Sequence, residues 1–134
     1  MKILGIEHIG LAVNSLDTDA PFWKHVLKIS HTGTEAVEDQ GVTTDIYDTG
    51  SGKLEFLKAT SKDSPIARFI DKKSSGIHHI ALIVDHLQPA LDYLKDQGVQ
   101  LIDEKPRIGA EGLSIAFIHP KSTGGILVEL CEKK

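Results

Sequence analysis

A short pattern that opens with a histidine occurs twice in this sequence, first in residues 7–13 and again within residues 76–85. In each copy the histidine, His8 or His79, begins an alternating apolar run typical of a β-strand, and a helical pattern follows within a few residues. The two histidines are 71 residues apart, about half of the 134-residue chain. The sequence therefore predicts an internal repeat of one structural unit, with both histidines facing a shared cavity.

The rest of the pattern predicts the order β-α-β-β-β in each half of the chain. In the first half a helix is expected to begin at Asp17, with Pro21 in its first turn and with Phe22, Val26 and Leu27 as apolar positions. In the second half the helix carries Leu87, Ala90, Leu91 and Leu94 on one face and ends at Gly98. The predicted strands are residues 3–13, 29–37, 42–48 and 53–58, then 76–85, 100–102, 113–119 and 126–132. We expect one domain over residues 1–134, with a first module at about 1–60, a linker helix at about 61–75 and a second module at about 76–134.

Composition excludes several classes of partner. The formal net charge is −4 and no basic cluster is present, which argues against nucleic acid. No apolar run approaches the roughly 20 residues that span a bilayer, and the first residues enter a strand pattern without a targeting signal, so no membrane partner is expected. Cys131 is the single cysteine, which suits a reducing compartment and predicts a cytoplasmic protein.

Two glutamates interrupt apolar strands at matching places in the two modules. By the two-residue period of a strand, Glu55 and Glu129 lie opposite the apolar face and point inward. A buried carboxylate needs a cation, hydrogen-bond donors or a metal, and two histidines with two carboxylates suit a divalent ion. A lone strand histidine is more often a core residue, and a single glutamate more often faces solvent. The paired occurrence favours a metal site made of His8, Glu55, His79 and Glu129, whereas His78 lies on the opposite face and is interpreted as a structural or a surface residue.

Three segments, residues 63–69, 76–81 and 119–130, resemble the methylmalonyl-CoA epimerases of the vicinal oxygen chelate (glyoxalase/bleomycin resistance/dioxygenase) superfamily. The resemblance covers essentially the whole chain. It implies an α+β fold in which two βαβββ modules form a cupped mixed β-sheet around a metal cavity, and it implies a homodimer. It also implies one divalent ion, with Co, Mn, Zn and Ni all acceptable because two nitrogen and two oxygen ligands select poorly among them.

The activity implied by the resemblance is interconversion of the (R) and (S) forms of methylmalonyl-CoA, a coenzyme A thioester, by proton abstraction at C2 through a metal-stabilised enolate. Glu129 is the better-supported acid/base group because it also belongs to the metal site. Lys121 and Ser122, in the loop of residues 119–125, are the candidate substrate-binding residues. A glycine-rich turn that only joins two strands is the alternative for this loop.

One departure from the family pattern affects the second acid/base group. Thr44 stands where well-studied members have a glutamate, and neither Asp45 nor Glu38 nor Asp39 is an equal substitute on sequence grounds.

Other functions on the same scaffold also stay open: a glyoxalase I-type lactoylglutathione lyase with the same four ligands, or a metal-free small-molecule-binding protein. Glu55 disfavours an Fe(II) dioxygenase, which would leave that position to substrate and oxygen.

Overall fold

Residues 1–133 are described by a computed structural model, and within them the chain forms eight β-strands and three α-helices. Both halves follow the order β-α-β-β-β, so the predicted α+β class and repeated module are confirmed. No helix among these residues has the length and apolar character needed to cross a bilayer. The elements are β1 (Ile3–Ala12), α1 (Leu16–Pro21), β2 (Ser30–Val37), β3 (Val42–Asp48), β4 (Lys53–Ala59), α2 (Pro65–Lys73), β5 (Gly76–Val84), α3 (Leu87–Asp96), β6 (Arg107–Ile108), β7 (Ser114–Ile118) and β8 (Val128–Glu132).

The chain divides into two compact units, and strands β1 and β5 contribute residues to both. We call residues 9–78 the central unit, and residues 1–8 together with those from 79 onward the terminal unit. In the central unit the strand order is β2-β3-β4-β1, with antiparallel pairing of β3 to both β2 and β4. In the terminal unit the order is β1-β5-β8-β7-β6, with β5 parallel and β7 antiparallel to β8. The mixed pairing predicted from the sequence is therefore confirmed.

The core of the terminal unit lies between α3 and one face of the sheet. Leu87, Ala90 and Leu91 of α3 are buried against Ala116 of β7 and Leu130 of β8. Their spacing of three and four residues places them on one side of the helix, as the sequence predicted. The opposite face of this part of the sheet is therefore left to other side chains, among them His79 and Glu129.

The first helix differs from the prediction in its start and in its buried face. Ser15, not Asp17, is the N-cap, and its Oγ accepts a hydrogen bond from the Thr18 N–H. Pro21 ends the α-helical turn rather than beginning it, and a π-helical turn follows over Phe22–Val26. This change of period exposes Phe22, Val26 and Leu27, which were predicted as the apolar face. Side chains that do pack on the central unit's core include Leu16, Ala20 and Trp23.

The strand predicted at residues 100–102 is reduced to a single bridge between Leu101 and Ile118. The backbone N–H groups of Ile102 and Asp103 both donate to the Phe117 carbonyl, and the Asp103 carboxylate accepts the Phe117 N–H at 2.8 Å. The Asp103 carboxylate accepts the N–H that a backbone carbonyl of a neighbouring strand would otherwise accept. The hydrogen-bond ladder along this side of β7 therefore ends at Phe117. The short strand beside β7 is instead β6, five residues further along the chain from Ile102.

A substitution at Leu91 tests the packing of α3 on the sheet. We expect Leu91→Ala to lower the free energy of unfolding by about 2–5 kcal/mol, because the lost methyl groups leave a cavity in a fully buried site. Tyr93→Ala on the exposed side of the same helix is the control and should change this free energy by about 0.5 kcal/mol or less. Urea unfolding followed by circular dichroism measures both, and equal effects of the two variants would contradict the assigned packing.

Candidate metal centre

Three of the four predicted ligands come together in the terminal unit. His8 lies on β1, His79 on β5 and Glu129 on β8, and each is only 4% exposed. The parallel pairing of β5 with β8 sets Ala81 beside Glu129 and so brings this glutamate close to His79, two residues away. Small residues follow each histidine on the same face, Gly10 after His8 and Ala81 after His79, and they leave room around the imidazoles.

The distances among these three side chains fit a shared cation. The Nε2 atoms of His8 and His79 are 3.0 Å apart. The Glu129 carboxylate lies 3.5 Å from His79 Nε2 through Oε1 and 3.7 Å from His8 Nε2 through Oε2. Two ligand atoms that each lie about 2.0–2.2 Å from one ion are separated by about 2.8–3.6 Å when they meet at octahedral or tetrahedral angles. The observed spacing is close to this range.

The chemistry of the donor set also fits a metal. A neutral imidazole offers one nitrogen lone pair, and an ionised carboxylate offers only acceptor oxygens. Away from water, acceptor atoms that converge in this way repel one another unless a proton or a cation lies among them. Nitrogen and oxygen ligands together suit Co, Mn, Zn and Ni. The residues present therefore fit a divalent ion.

A second carboxylate, missed by the sequence analysis, lies behind His8. Glu7 is 2% exposed, and its Oε1 is 3.4 Å from Nδ1 of His8, the ring nitrogen that does not face His79. The other oxygen, Oε2, is 3.3 Å from Nζ of Lys133. The sequence carried a signal for this arrangement, since an acidic residue directly precedes the histidine that opens the first strand.

An aromatic ring and a cation adjoin His79 on the other side. The Phe117 ring meets the His79 ring edge to face at 5.7 Å, and the Arg107 guanidinium lies over Phe117 at 5.5 Å. Arg107 Nε is also 3.4 Å from the Asp103 carboxylate. Arg107 could not be placed from the sequence, because residues 103–112 carry no strand or helix period.

The fourth predicted ligand, Glu55, belongs to the central unit. It is buried on β4 and lies opposite Ile46 of β3. Thr44 is two residues before Ile46, so it shares this face of the sheet with Glu55. On the other side of β3, Thr44 is paired with Glu35 of β2, which places a carboxylate on the same face. The metal-binding role of Glu55 stays a prediction.

Asp45 faces the other side of that sheet. It accepts a hydrogen bond from Thr34 Oγ1 at 2.5 Å, and it lies 3.4 Å from His31 Nε2. Burial and the negative charge of Asp45 both raise the pKa of Tyr47, which belongs to the core beneath α1. These contacts give Asp45 a structural environment away from the face of Thr44 and Glu55.

The loop predicted to bind substrate is held by a hydrogen bond within it and by another from Gln100. The Lys121 N–H donates to Nδ1 of His119 at 3.0 Å, and Ser122 Oγ accepts the Gln100 N–H at 2.9 Å. These bonds form around a short 3-10 turn, Pro120–Ser122. They give Ser122 a structural part, while the substrate-binding roles of Lys121 and Ser122 stay predictions.

Of the two settings predicted for His78, structural or surface, its contacts show the structural one. Its ring lies 4.9 Å from that of Phe69 on α2, and burial lowers the pKa of His78 to about 4. The neutral form is therefore favoured at physiological pH.

Comparison with known proteins identifies relatives over nearly the full length. The family model of the Glyoxalase/Bleomycin resistance protein/Dioxygenase superfamily matches residues 7–117. A Bacillus subtilis protein of uncharacterised function, YqjC, is 46% identical over 129 residues, which is 96% of this chain and 92% of the relative. The human mitochondrial methylmalonyl-CoA epimerase is 36% identical over 126 residues, 93% of this chain and 72% of the human protein. A solved methylmalonyl-CoA epimerase in complex with methylmalonyl-CoA and NH4+ is 31% identical, with a TM-score of 0.93 over 98% of this chain and 96% of the other.

The double variant His8→Ala/His79→Ala tests the metal centre. It should abolish stoichiometric metal binding, because it removes both nitrogen ligands of the cluster. His86→Ala, which changes an exposed histidine on the same unit, is the control and should bind metal as the parent does. The measurement is metal content by mass spectrometry after loading with Co, Mn, Zn or Ni and gel filtration. Full metal content in the double variant would rule out this site.

Proposed function

Because the chain belongs to the Glyoxalase/Bleomycin resistance protein/Dioxygenase superfamily, we propose that it is an epimerase that interconverts the (R) and (S) forms of methylmalonyl-CoA. The observation that carries the proposal is the buried cluster of His8, His79 and Glu129, in which a potential base and a potential metal site coincide. The substrate assignment is supported by the named epimerases among the relatives, one of them solved with methylmalonyl-CoA.

A divalent ion would be held by His8, His79 and Glu129, with Glu55 as the fourth ligand. Co, Mn, Zn and Ni are the candidates, since the donor set does not choose among them. When bound, such an ion would supply Lewis acidity, which stabilises the negative charge that develops when the C–H bond next to a thioester is broken. The two histidines act only as ligands in this proposal, and the proton transfers fall to carboxylates.

Glu129 is proposed as the base on one face of C2. Its carboxylate would accept the C2 proton, and the electron pair of the broken C–H bond would move toward the thioester carbonyl to give the enolate. The position of Glu129 supports this role, because a base in the proposed metal site would lie beside the bound substrate. Return of a proton to the same face would regenerate the starting epimer, so inversion requires a second group.

Glu35 is proposed as the acid/base group for the opposite face of C2. Thr44 has no acid/base chemistry of its own at neutral pH, but Glu35 is its direct partner on β2 and lies on the same face as Glu55. A protonated Glu35 would deliver its proton to C2 of the enolate, forming the new C–H bond and leaving a carboxylate. Asp45 is less suitable because it points to the other face, where Thr34 and His31 contact it.

Cationic side chains near the cluster would bind the anionic parts of the substrate. Arg107 lies over Phe117, which contacts His79, and this chain of contacts supports a role for Arg107 beside the substrate carboxylate or a coenzyme A phosphate. Lys121 and Ser122 are proposed to bind the same molecule from the loop after β7.

The single buried thiol of Cys131 supports a reducing compartment, and we propose a cytoplasmic location.

The reaction is tested by incubating the metal-loaded protein with one epimer in D2O. Metal-dependent appearance of the other epimer with deuterium at C2 is expected, because each carboxylate exchanges its proton with solvent. Glu129→Gln should lower turnover at saturating metal by at least about a hundredfold, while Glu132→Gln on the same strand should not. Proton NMR and chiral separation measure both outcomes. Absence of inversion with every one of the four metals would remove the assignment.

Glu35→Gln tests the second acid/base group. It should slow inversion by about a hundredfold or more while leaving metal content unchanged, because Glu35 is not one of the proposed ligands. With the proton donor of one face removed, Glu129 should still catalyse wash-out of the C2 hydrogen into D2O with retention. Glu38→Gln, in the turn after β2, is the matched control and should behave as the parent does. Normal inversion by Glu35→Gln would show that another group serves the second face.

The proposed homodimer is supported by apolar side chains left exposed on β1, including Ile3, Leu4 and Ile6. We expect sedimentation at micromolar concentration to give twice the 14.6 kDa mass of the chain. Leu4→Glu should shift the protein toward monomer, because it introduces a charge into the apolar surface, and Ile102→Glu is the control at another exposed isoleucine. A monomeric parent protein would contradict the dimer.

A further inference from the structure

We propose that Asp103 is a positioning residue that fixes the Arg107 guanidinium above Phe117, and that Arg107 binds the free carboxylate of a malonyl-type thioester. These roles deepen the function proposed above and rest on it. They would let the site distinguish methylmalonyl-CoA from propionyl-CoA, which has the same coenzyme A and no carboxylate. The three residues all lie in the terminal unit.

Arg107 lies on the face of the sheet that carries Glu129. Residues paired directly across neighbouring strands present their side chains to the same face, and so do residues two apart on one strand. Arg107 is paired with Ile115 of β7. Phe117, two residues further along β7, is paired with Glu129 of β8, and its ring also contacts that of His79. The guanidinium above Phe117 is therefore on the side of the sheet where the acyl group would lie.

The Asp103 carboxylate joins Arg107 to this strand. One of its oxygens, Oδ2, accepts the Phe117 N–H at 2.8 Å, and the other, Oδ1, lies 3.4 Å from Nε of Arg107. Because this nitrogen is shielded from water, its attraction to the carboxylate is only weakly screened. The guanidinium carbon lies 5.5 Å from the centre of the Phe117 ring, a distance at which a cation is attracted to an aromatic face. Asp103 therefore fixes both the backbone of Phe117 and the cation above its ring.

The segment that carries Arg107 is held at both ends. Before it, the Asp103 N–H donates to the Phe117 carbonyl. After it, Gly109 lies against Ile115, where an added Cβ would be 2.8 Å from Cδ1 of the isoleucine. Glycine permits this close approach because it has no side chain. The backbone on either side of Arg107 is thus fixed to β7, which limits the positions that the guanidinium can reach.

A guanidinium in this place suits the carboxylate of the acyl group. Its planar fork of N–H donors matches the two oxygens of a carboxylate. In the proposed reaction C2 lies beside Glu129, and the carboxylate is bonded directly to C2. The phosphates of coenzyme A are separated from C2 by the whole pantetheine arm. The pairing of Phe117 with Glu129 therefore favours the carboxylate over a phosphate as the partner of Arg107.

Asp103 would raise affinity without touching the substrate. An arginine side chain that moves freely must be ordered when it binds an anion, and this ordering weakens binding by roughly 2–10-fold. Contacts with Asp103 and Phe117 order Arg107 before the substrate arrives, so that loss is avoided.

Isothermal titration calorimetry of the whole purified chain, in buffer that contains Co²⁺, measures the affinity for methylmalonyl-CoA and for propionyl-CoA. Racemic methylmalonyl-CoA is used so that inversion produces no net heat. The parent should bind methylmalonyl-CoA more tightly. Arg107→Gln should weaken methylmalonyl-CoA binding by at least about tenfold, because a hydrogen bond between charged groups is lost, and should leave propionyl-CoA binding unchanged.

Asp103→Asn tests the positioning role. It keeps an oxygen that can accept the Phe117 N–H but turns an NH2 group toward Arg107, so methylmalonyl-CoA binding should weaken by roughly 2–10-fold and propionyl-CoA binding should not change. Asp96→Asn, at an exposed aspartate that ends α3, is the matched control and should bind both thioesters as the parent does. Circular dichroism confirms that each variant is folded before affinities are compared.

Two further variants separate positioning from a merely structural effect. If Asp103 acts through Arg107, the double variant Asp103→Asn/Arg107→Gln should bind methylmalonyl-CoA as Arg107→Gln does. Arg107→Lys keeps the charge but has no Nε–H for Asp103 to hold, so it should also weaken methylmalonyl-CoA binding alone. This variant decides the positioning role if Asp103→Asn does not fold.

Equal losses for both thioesters in Arg107→Gln would assign Arg107 to a coenzyme A phosphate and overturn its carboxylate role. Parent affinity in folded Asp103→Asn or in Arg107→Lys, or additive losses in the double variant, would overturn the positioning role. A parent protein that does not prefer methylmalonyl-CoA to propionyl-CoA would overturn both.

Binding is measured separately from turnover, so the two proposals fail in different ways. A parent protein that shows the expected affinities but inverts neither epimer would leave the roles of Asp103 and Arg107 standing and refute the proposed function. Normal inversion together with unchanged affinities in the variants would do the reverse.

Discussion

The convergence of buried nitrogen and oxygen donor atoms is the constraint on which the site depends. His8, His79 and Glu129 direct two imidazole nitrogens and a carboxylate toward one another in a place that water scarcely reaches. Such a cluster has a cost in folding that a core of aliphatic residues would avoid. A divalent cation offsets that cost, because it attracts the donor atom of each of the three side chains. Stability of this region and capacity for chemistry are therefore expected to depend on the same ion.

The two-residue alternation of side chains within each strand was sufficient to identify these three residues as candidate ligands. His8, His79 and Glu129 each lie opposite an aliphatic face, and the repeat placed the two histidines at matching positions before any distance was known. Helix α3 was predictable for the same reason, since one apolar face packs on one sheet. Helix α1 was not, because Pro21 interrupts the α-helical period and the π-helical turn after it changes which side chains point inward.

Contacts that the two-residue period of one strand does not describe could not be found in the same way. The two-residue period places Glu7 on the face of β1 opposite to His8, yet the Glu7 carboxylate contacts the His8 ring. Glu35 became a candidate only when the register set it opposite Thr44, since a strand's own pattern does not say which residue its neighbour presents. Arg107 lies in a stretch without a period, and its place over Phe117 follows from the short strand β6.

Epimerisation is proposed to have a strict requirement for one divalent ion bound by this cluster. This requirement is tested most directly by stripping the protein of metal and adding Co²⁺ in steps while turnover of methylmalonyl-CoA and bound cobalt are measured in the same samples. Turnover is expected to be near zero without metal, to rise in proportion to bound cobalt and to stop rising at one ion per chain. Full turnover in the stripped protein, or a rise that continues well beyond one bound ion per chain, would contradict this requirement.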